Sequence, residues 1–240
     1  MTVAALILLA TLAAAVPGQA TPHPGPAAGA GPVVSPGRAR TALTAAAPAD
    51  APTQVRRVVI VVQGGDEARL SAVREAMDFW NQTLEDLRLP VRLLEDRVLV
   101  APPFVKRLES YTRAIWRLAG RPRPPGDTPP VPPELDAIDA DIVVFLSRQQ
   151  FFSFAWPRAE RTRFFIGVQT DAGPPLDAPN VARNVAAHEI GHALGLEHNG
   201  PTRTLMCGPC EQDVYRSDRA TFLPVTPEEH AQLRALYPSR

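Results

Sequence analysis

The sequence has 240 residues with 25 basic and 25 acidic side chains, so its formal net charge at pH 7 is zero. Binding to nucleic acids or to anionic membranes in general requires a basic excess or patch, so this balance argues against both classes of partner. The hydrophobic fraction of 45% is that of an ordinary globular protein. Many of the 27 prolines lie in two stretches, 21–53 and 121–133, which we treat separately from the folded core.

The N-terminal residues resemble an export signal. Val3–Val16 is an almost continuous apolar run, and a pattern of small residues ending at Ala20 follows it. This arrangement predicts a signal peptide over residues 1–20, because the run is short for a membrane-spanning helix. An uncleaved N-terminal anchor is the alternative, on grounds of length. Because Met1 and Thr2 supply no basic residue, either the true start lies upstream or the signal is atypical. Both interpretations predict a secreted, periplasmic or cell-envelope protein, and cleavage would leave no stable membrane insertion.

Residues 21–53 are rich in alanine, proline and glycine and contain no aromatic residue. Such a composition buries too little apolar surface to offset the entropy of ordering the chain, so we predict a disordered linker. Residues 54–240 remain as a single domain that is long enough for a substantial core. We expect this domain to be a monomer.

Apolar periodicity predicts alternating strands and helices within this domain. The predicted strands are Val55–Val62, Val91–Val100, Asp141–Ser147, Phe151–Trp156 and Arg163–Gln169. Helices are predicted after Gly64–Asp66, over Phe104–Leu118, over Val181–Leu194 with Asn180 as its N-cap, and over Thr226–Tyr237. Loops are predicted over Arg121–Pro133 and Thr170–Pro179. The order strand–helix–strand–helix–strand indicates an α/β fold with a largely parallel sheet.

The string HEIGHALGLEH lies on and just after the predicted helix Val181–Leu194. His188 and His192 are four residues apart, so they share one helical face and reach a single metal ion. Gly195 can adopt a positive φ and end the helix in a sharp turn. That turn brings His198 back as a third nitrogen ligand. Chance occurrence of the full pattern in such a chain is on the order of a few in a million.

The three ligands predict one catalytic Zn²⁺ ion. Three neutral imidazoles leave one coordination position open for water. Zinc lowers the pKa of that water and polarises a substrate carbonyl group. Glu189 directly follows His188, and its predicted role is that of the general base. The chemistry therefore indicates hydrolysis of a peptide bond through a zinc-bound water.

The motif resembles that of the metzincin zinc endopeptidases, and Met206, eight residues after His198, resembles the matrixin-like branch. The resemblance implies a twisted, mostly parallel sheet with an antiparallel edge strand, an active-site helix, a Met-turn and a C-terminal helix. It implies that Met206 forms the floor of the metal site without being a ligand. It also implies that Phe151–Trp156 is the edge strand, which can hold an extended peptide by strand addition.

The cysteines depart from the matrixin pattern. No cysteine precedes Cys207, so a propeptide thiolate cannot cap the zinc as in the matrixin cysteine switch. Asp50 is a hypothetical substitute for that cap. We expect a local disulfide between Cys207 and Cys210, with free thiols or metal capture as alternatives.

These features predict an exported zinc metalloendopeptidase whose partner is a protein or peptide substrate. One alternative is a catalytically silent zinc-binding protein, although the intact Glu189 argues against it. Another is a zinc amidase or exopeptidase that acts on cell-wall or small peptides.

Overall fold

The computed structural model describes residues 54–64, 67–118, 128–158, 162–170, 173, 178–208, 210–211 and 221–238. The predicted signal peptide, the predicted linker with Asp50, and parts of the loops Arg121–Pro133 and Thr170–Pro179 lie outside these residues. None of the helices in the described ranges combines the length and apolarity needed to cross a membrane.

Five strands and five helices follow one another along the described chain. They are β1 Gln54–Val62, α1 Glu67–Asp86, β2 Val91–Val100, α2 Val105–Leu118, α3 Pro133–Asp136, β3 Ile142–Ser147, β4 Phe154–Arg158, β5 Arg163–Gln169, α4 Pro179–Ala193 and α5 Pro227–Leu236. The strands form one sheet in the order β2-β1-β3-β5-β4. All neighbouring strands are parallel except β4, which pairs antiparallel with β5. This confirms the predicted α/β fold with an antiparallel edge strand.

The sheet is covered by helices on both faces. Val58 and Ile60 of β1 share one core with α1 and α4, whereas Val59 and Val61 share a second core with α2 and α3. Successive side chains of a strand point to opposite faces, so a strand buried on both faces consists of a continuous apolar run. The run of β-branched residues in β1 is therefore explained by its position in the middle of a three-layer domain.

The predicted N-cap of the helix that carries His188 and His192 is wrong. Helix α4 begins at Pro179, its N-cap is Ala178, and no side chain caps it. Asn180 lies inside the first turn, where its carbonyl oxygen accepts a hydrogen bond from Asn184 Nδ2 at 2.8 Å. Proline is well suited to the first helical position because its φ is already helical and its missing N–H would have no partner there. The helix consequently starts earlier than the asparagine suggests.

Strand β4 also begins three residues later than predicted. Phe151 lies before the strand and is buried, and a Cβ atom added at Gly167 would lie 3.1 Å from its ring and 2.8 Å from that of Phe154. Aromatic residues are enriched in strands, which explains the earlier predicted start. Here Phe151 packs over the bare backbone of Gly167, and strand pairing starts only at Phe154.

Candidate metal centre and active site

Helix α4 and the turn after it position the three histidines of the motif. His188 and His192 lie one turn apart on α4, and Gly195 follows with φ of +97°. The N–H of Leu196 donates to the carbonyl oxygen of Gly191 at 3.0 Å, which closes the helix with the bond pattern of a glycine C-cap. The reversal after Gly195 returns the chain toward α4 and brings His198 next to the two helical histidines.

The three imidazoles converge on one point. The Nε2 atoms of His188, His192 and His198 are each 3.2 Å from the other two. A tetrahedral zinc ion with Zn–N distances of about 2.0–2.1 Å requires nitrogen ligands about 3.3–3.4 Å apart. The separation of the three nitrogens therefore fits a zinc ion.

Hydrogen bonds at the other ring nitrogens orient two of these ligands. Nδ1 of His188 donates to the Leu205 carbonyl oxygen at 2.7 Å, and Nδ1 of His192 donates to the Leu196 carbonyl oxygen at 2.8 Å. A ring nitrogen that faces a carbonyl must carry the proton, so both Nε2 atoms present lone pairs. Lone pairs that face one another at 3.2 Å repel unless a cation lies between them. The donor set thus matches a metal site.

Burial keeps these histidines in the form that binds metals. It lowers the pKa of His188 to about 3 and that of His192 to about 4, and nearby histidine charge adds to the effect. Burial also lowers the pKa of the more exposed His198. All three imidazoles are consequently neutral at pH 7, which is the form that coordinates zinc.

Glu189 of α4 is buried against the edge strand β4. Its carboxylate accepts a hydrogen bond from the backbone N–H of Ala155, which lowers its pKa, but the stronger effect of burial raises the pKa to about 8. A nearby dication opposes the effect of burial and favours the ionised form. The side chain therefore has a fixed orientation and an environment suited to proton transfer at neutral pH.

The segment Leu205–Gly208 forms the floor beneath the histidines. The N–H of Asn199 donates to the Met206 carbonyl oxygen at 2.8 Å, and the N–H of Gly208 donates to the Asn199 carbonyl oxygen at 3.0 Å. These bonds join the chain that follows His198 to the floor segment. Met206 is completely buried, and Cys207 forms a disulfide with Cys210.

Gly191, between the two helical histidines, packs tightly against the floor segment. A Cβ atom at this position would lie 2.5 Å from Met206 Sδ and 3.0 Å from Trp80 Cζ2. Trp80 is itself fixed because its Nε1 donates to the Ala187 carbonyl oxygen at 2.7 Å. The site helix therefore rests directly on a methionine and a tryptophan.

We expect Gly191→Ala to destabilise the protein, because the added methyl group must displace Met206 or Trp80. Overpacking of this kind costs about 1–3 kcal/mol of the free energy of unfolding, which denaturant titration measures. Gly200→Ala is the matched control, since a Cβ atom there meets no atom within 4 Å. Equal stability of the two variants would contradict the packing role of Gly191.

A buried arginine donates a hydrogen bond to a carbonyl group at the carboxyl end of α4. Arg56 of β1 donates from Nη1 to the Ala193 carbonyl oxygen and from Nη2 to the Thr162 carbonyl oxygen, each at 3.1 Å. The hydroxyl of Tyr237 donates to the Leu194 carbonyl oxygen at 3.1 Å. A cation at a helix C-terminus is favourable and satisfies carbonyl groups that have no partner within the helix. These contacts hold the end of the helix from which the histidine turn departs.

Helix α5 supports the third histidine through a carboxylate. Glu229 closes a capping box with Thr226 at the start of this helix. The Glu229 side chain is 3% exposed, and its Oε1 accepts a hydrogen bond at 2.6 Å from Nδ2 of Asn199, the residue after His198. The Thr204 hydroxyl donates to Oδ1 of the same asparagine at 2.9 Å. The C-terminal helix therefore holds the backbone next to His198.

Sequence reasoning missed three of these supporting contacts. They are Arg56 at the end of α4, the Asn199–Glu229 bond and the Ala155 N–H on Glu189. Arg56 is a charged residue within the apolar run of β1, and this position was a readable signal of a buried contact. The other two join residues far apart in the chain, and local patterns do not reveal them.

Comparison with known proteins matches the second half of the domain to a peptidase family. Residues 156–237 match the family model Peptidase_M10, Matrixin. The match covers less than half of the chain, but it contains the three histidines, Glu189 and Met206. It confirms the resemblance to the metzincins expected from the sequence and, with the histidine cluster, indicates a zinc metallopeptidase.

Two solved structures are similar to the chain at low sequence identity. Archaemetzincin from Methanopyrus kandleri is 15% identical with a TM-score of 0.42, and the alignment covers 75% of this chain and 94% of archaemetzincin. A chain from the structure of a chaperone–substrate complex is 20% identical with a TM-score of 0.43. That alignment covers 67% of this chain and 32% of the other, so this chain spans about a third of it. Comparison with curated proteins gives no significant match.

Proposed function

We propose that this chain is an exported zinc-dependent metalloendopeptidase. The observation that carries the proposal is the convergence of three Nε2 atoms at 3.2 Å, with the buried Glu189 directly after His188 on the same helix. A zinc ion held by His188, His192 and His198 supplies a polarised water and a Lewis acid for a substrate carbonyl.

In this proposal Glu189 carries the protons of the reaction. Its carboxylate accepts a proton from the attacking water and delivers it to the nitrogen of the leaving amine. The Ala155 N–H holds the carboxylate in position throughout. Met206 supports the histidines from below without coordinating the metal. Because water performs the attack, no covalent acyl-enzyme forms.

Three further features support an exported enzyme that cleaves within peptide chains. Strand β4 is the outermost strand of the described sheet, and an open edge can accept an extended peptide that continues in both directions. The disulfide between Cys207 and Cys210 fits an oxidising compartment. The apolar run Val3–Val16, which lies outside the described residues, supports export through its sequence alone.

A cleavage assay with controlled metal content tests the proposal. We expect the zinc-loaded protein to cut internal bonds of an unfolded protein and of a random peptide library. A chelator should abolish cleavage, and added zinc should restore it. Mass spectrometry locates the cut bonds: release of terminal residues alone would indicate an exopeptidase. Complete lack of cleavage by the zinc-loaded protein would indicate a silent zinc-binding protein.

A further inference from the structure

The backbone groups at the outer edge of β4 can be identified from the pairing of its neighbour β5. The N–H of Phe164 donates to Asp141 O and the N–H of Thr170 to Ser147 O, both at 2.8 Å and both toward β3. The N–H and C=O of one strand residue point to the same side, and successive residues alternate. The even-numbered residues of β5 therefore bond to β3, and the odd-numbered residues bond to β4.

This alternation determines which residues of β4 point outward. Phe154 and Trp156 lie opposite odd-numbered residues of β5, so their backbone groups are directed at β5. Ala155 and Pro157 lie opposite even-numbered residues, so their backbone groups point away from the sheet. The outer edge of β4 is therefore formed by Ala155 and Pro157.

Two observations independent of the register agree with this assignment. The N–H of Ala155 donates to the Glu189 carboxylate, which lies outside the sheet. Pro157 has no N–H, and proline is accepted within a strand only where no hydrogen bond to a neighbouring strand is lost. The same contact shows that this edge borders the carboxylate of the proposed reaction centre.

The outer edge of β4 consequently offers a peptide hydrogen-bond acceptors but no available N–H donor. The only N–H group on it, that of Ala155, is already bonded to Glu189. No backbone N–H group of the described residues outside the pairing of β4 with β5 donates to the carbonyl group of Ala155 or Pro157. A regular strand edge of the same length would offer a second N–H group at position 157.

We propose that Pro157 is a specificity-determining residue that makes this edge bind an extended peptide through the peptide's N–H groups alone. The inference rests on the proposed function. Two substrate N–H groups, two residues apart, donate to the carbonyls of Ala155 and Pro157. Substrate carbonyls that face this edge remain without a backbone donor, so a substrate residue that lacks an N–H at either position is disfavoured.

Ester substitutions along a cleaved peptide test the pattern. Replacing one backbone N–H at a time with oxygen removes a single donor from the substrate. Esters at two of the positions should each lower kcat/KM. These two positions lie two residues apart in the peptide, either on the same side of the cut bond or on opposite sides of it. One net hydrogen bond corresponds to roughly a 2- to 12-fold change. Esters at the intervening position should have no such effect, and sensitivity at neither or at all positions would overturn the inference.

Restoring the missing donor tests Pro157 directly. Pro157→Ala and Pro157→Val both introduce an outward N–H, with side chains of different size. Both should raise kcat/KM for a long peptide by roughly 2- to 12-fold, the value of one added hydrogen bond. The gain should be smaller for a peptide truncated before it reaches position 157, because the added N–H group then meets no substrate carbonyl. Thermal unfolding of each variant confirms that the protein remains folded.

The outcomes separate this inference from the proposed function. A gain in only one variant would assign the effect to the side chain and overturn the role of the missing N–H. Cleavage of long peptides by the unchanged protein, with no gain in either variant, would overturn the inference and leave the proposed function intact. Failure of the unchanged, zinc-loaded protein to cleave any peptide would overturn both.

Discussion

Glu189→Gln is expected to abolish most peptide cleavage while zinc remains bound. Glutamine preserves the volume of this buried side chain, and its amide oxygen can still accept the Ala155 N–H. It cannot accept a proton from the attacking water, and loss of a general base lowers kcat by about 10²- to 10⁴-fold. Steady-state kinetics with a fluorogenic peptide measures the loss.

Zinc content and thermal stability serve as internal controls, because neither requires the carboxylate. Glu228→Gln is the matched control variant, since Glu228 is an exposed residue of α5. It should retain full activity. Unimpaired cleavage by Glu189→Gln would contradict the assignment of Glu189 as the general base. Glu189→Ala should also retain zinc, although it leaves the Ala155 N–H without its partner.

His192→Ala is expected to lower the zinc affinity strongly and, with it, the peptidase activity. The substitution removes one of three ligands that lie 3.2 Å apart and breaks the bond from Nδ1 to the Leu196 carbonyl oxygen. Loss of an outer-shell partner alone typically lowers metal affinity about 10- to 100-fold, so loss of a direct ligand should exceed that range. Competition with a chromogenic chelator measures the affinity.

His230→Ala provides the comparison, because His230 lies on α5 and does not belong to the described histidine cluster. Its zinc affinity should equal that of the unchanged protein. Zinc should also raise the unfolding temperature of the unchanged protein and of His230→Ala, since a ligand that binds only the folded state stabilises it. The His192→Ala variant should show little of this stabilisation. Equal zinc affinity in both variants would contradict the proposed ligand set.

Local sequence patterns were sufficient wherever neighbouring residues decide the structure. The spacing of His188, Glu189 and His192 determines which side chains share a helical face, because the helical repeat is constant. The positive φ at Gly195 and the capping box of Thr226 and Glu229 are equally local. The apolar run of β1 predicted a strand, and the structure buries its side chains on both faces of the sheet.

Local patterns failed where several conformations were equally compatible with the residues. Asn180 is a good capping residue, but Pro179 begins the helix two residues earlier than an Asn180 cap would allow. The aromatic residues from Phe151 onward favour a strand, but pairing with β5 begins only at Phe154. In both places a neighbouring residue or strand sets where the element begins, and a propensity scale does not include that influence.

The sequence by itself determined which groups the candidate site contains, namely three histidines, one carboxylate and a methionine at the spacing of a zinc peptidase. Only the tertiary structure decided how these groups are held. In the tertiary structure, Glu229 of α5 accepts a hydrogen bond from Asn199 beside the third histidine, and the Ala155 N–H of β4 donates to Glu189. Ligand identity depends on residues within a few helical turns, whereas orientation depends on hydrogen bonds between elements distant in sequence. Pro157 lies between these cases, because its missing N–H matters only once the sheet directs position 157 outward.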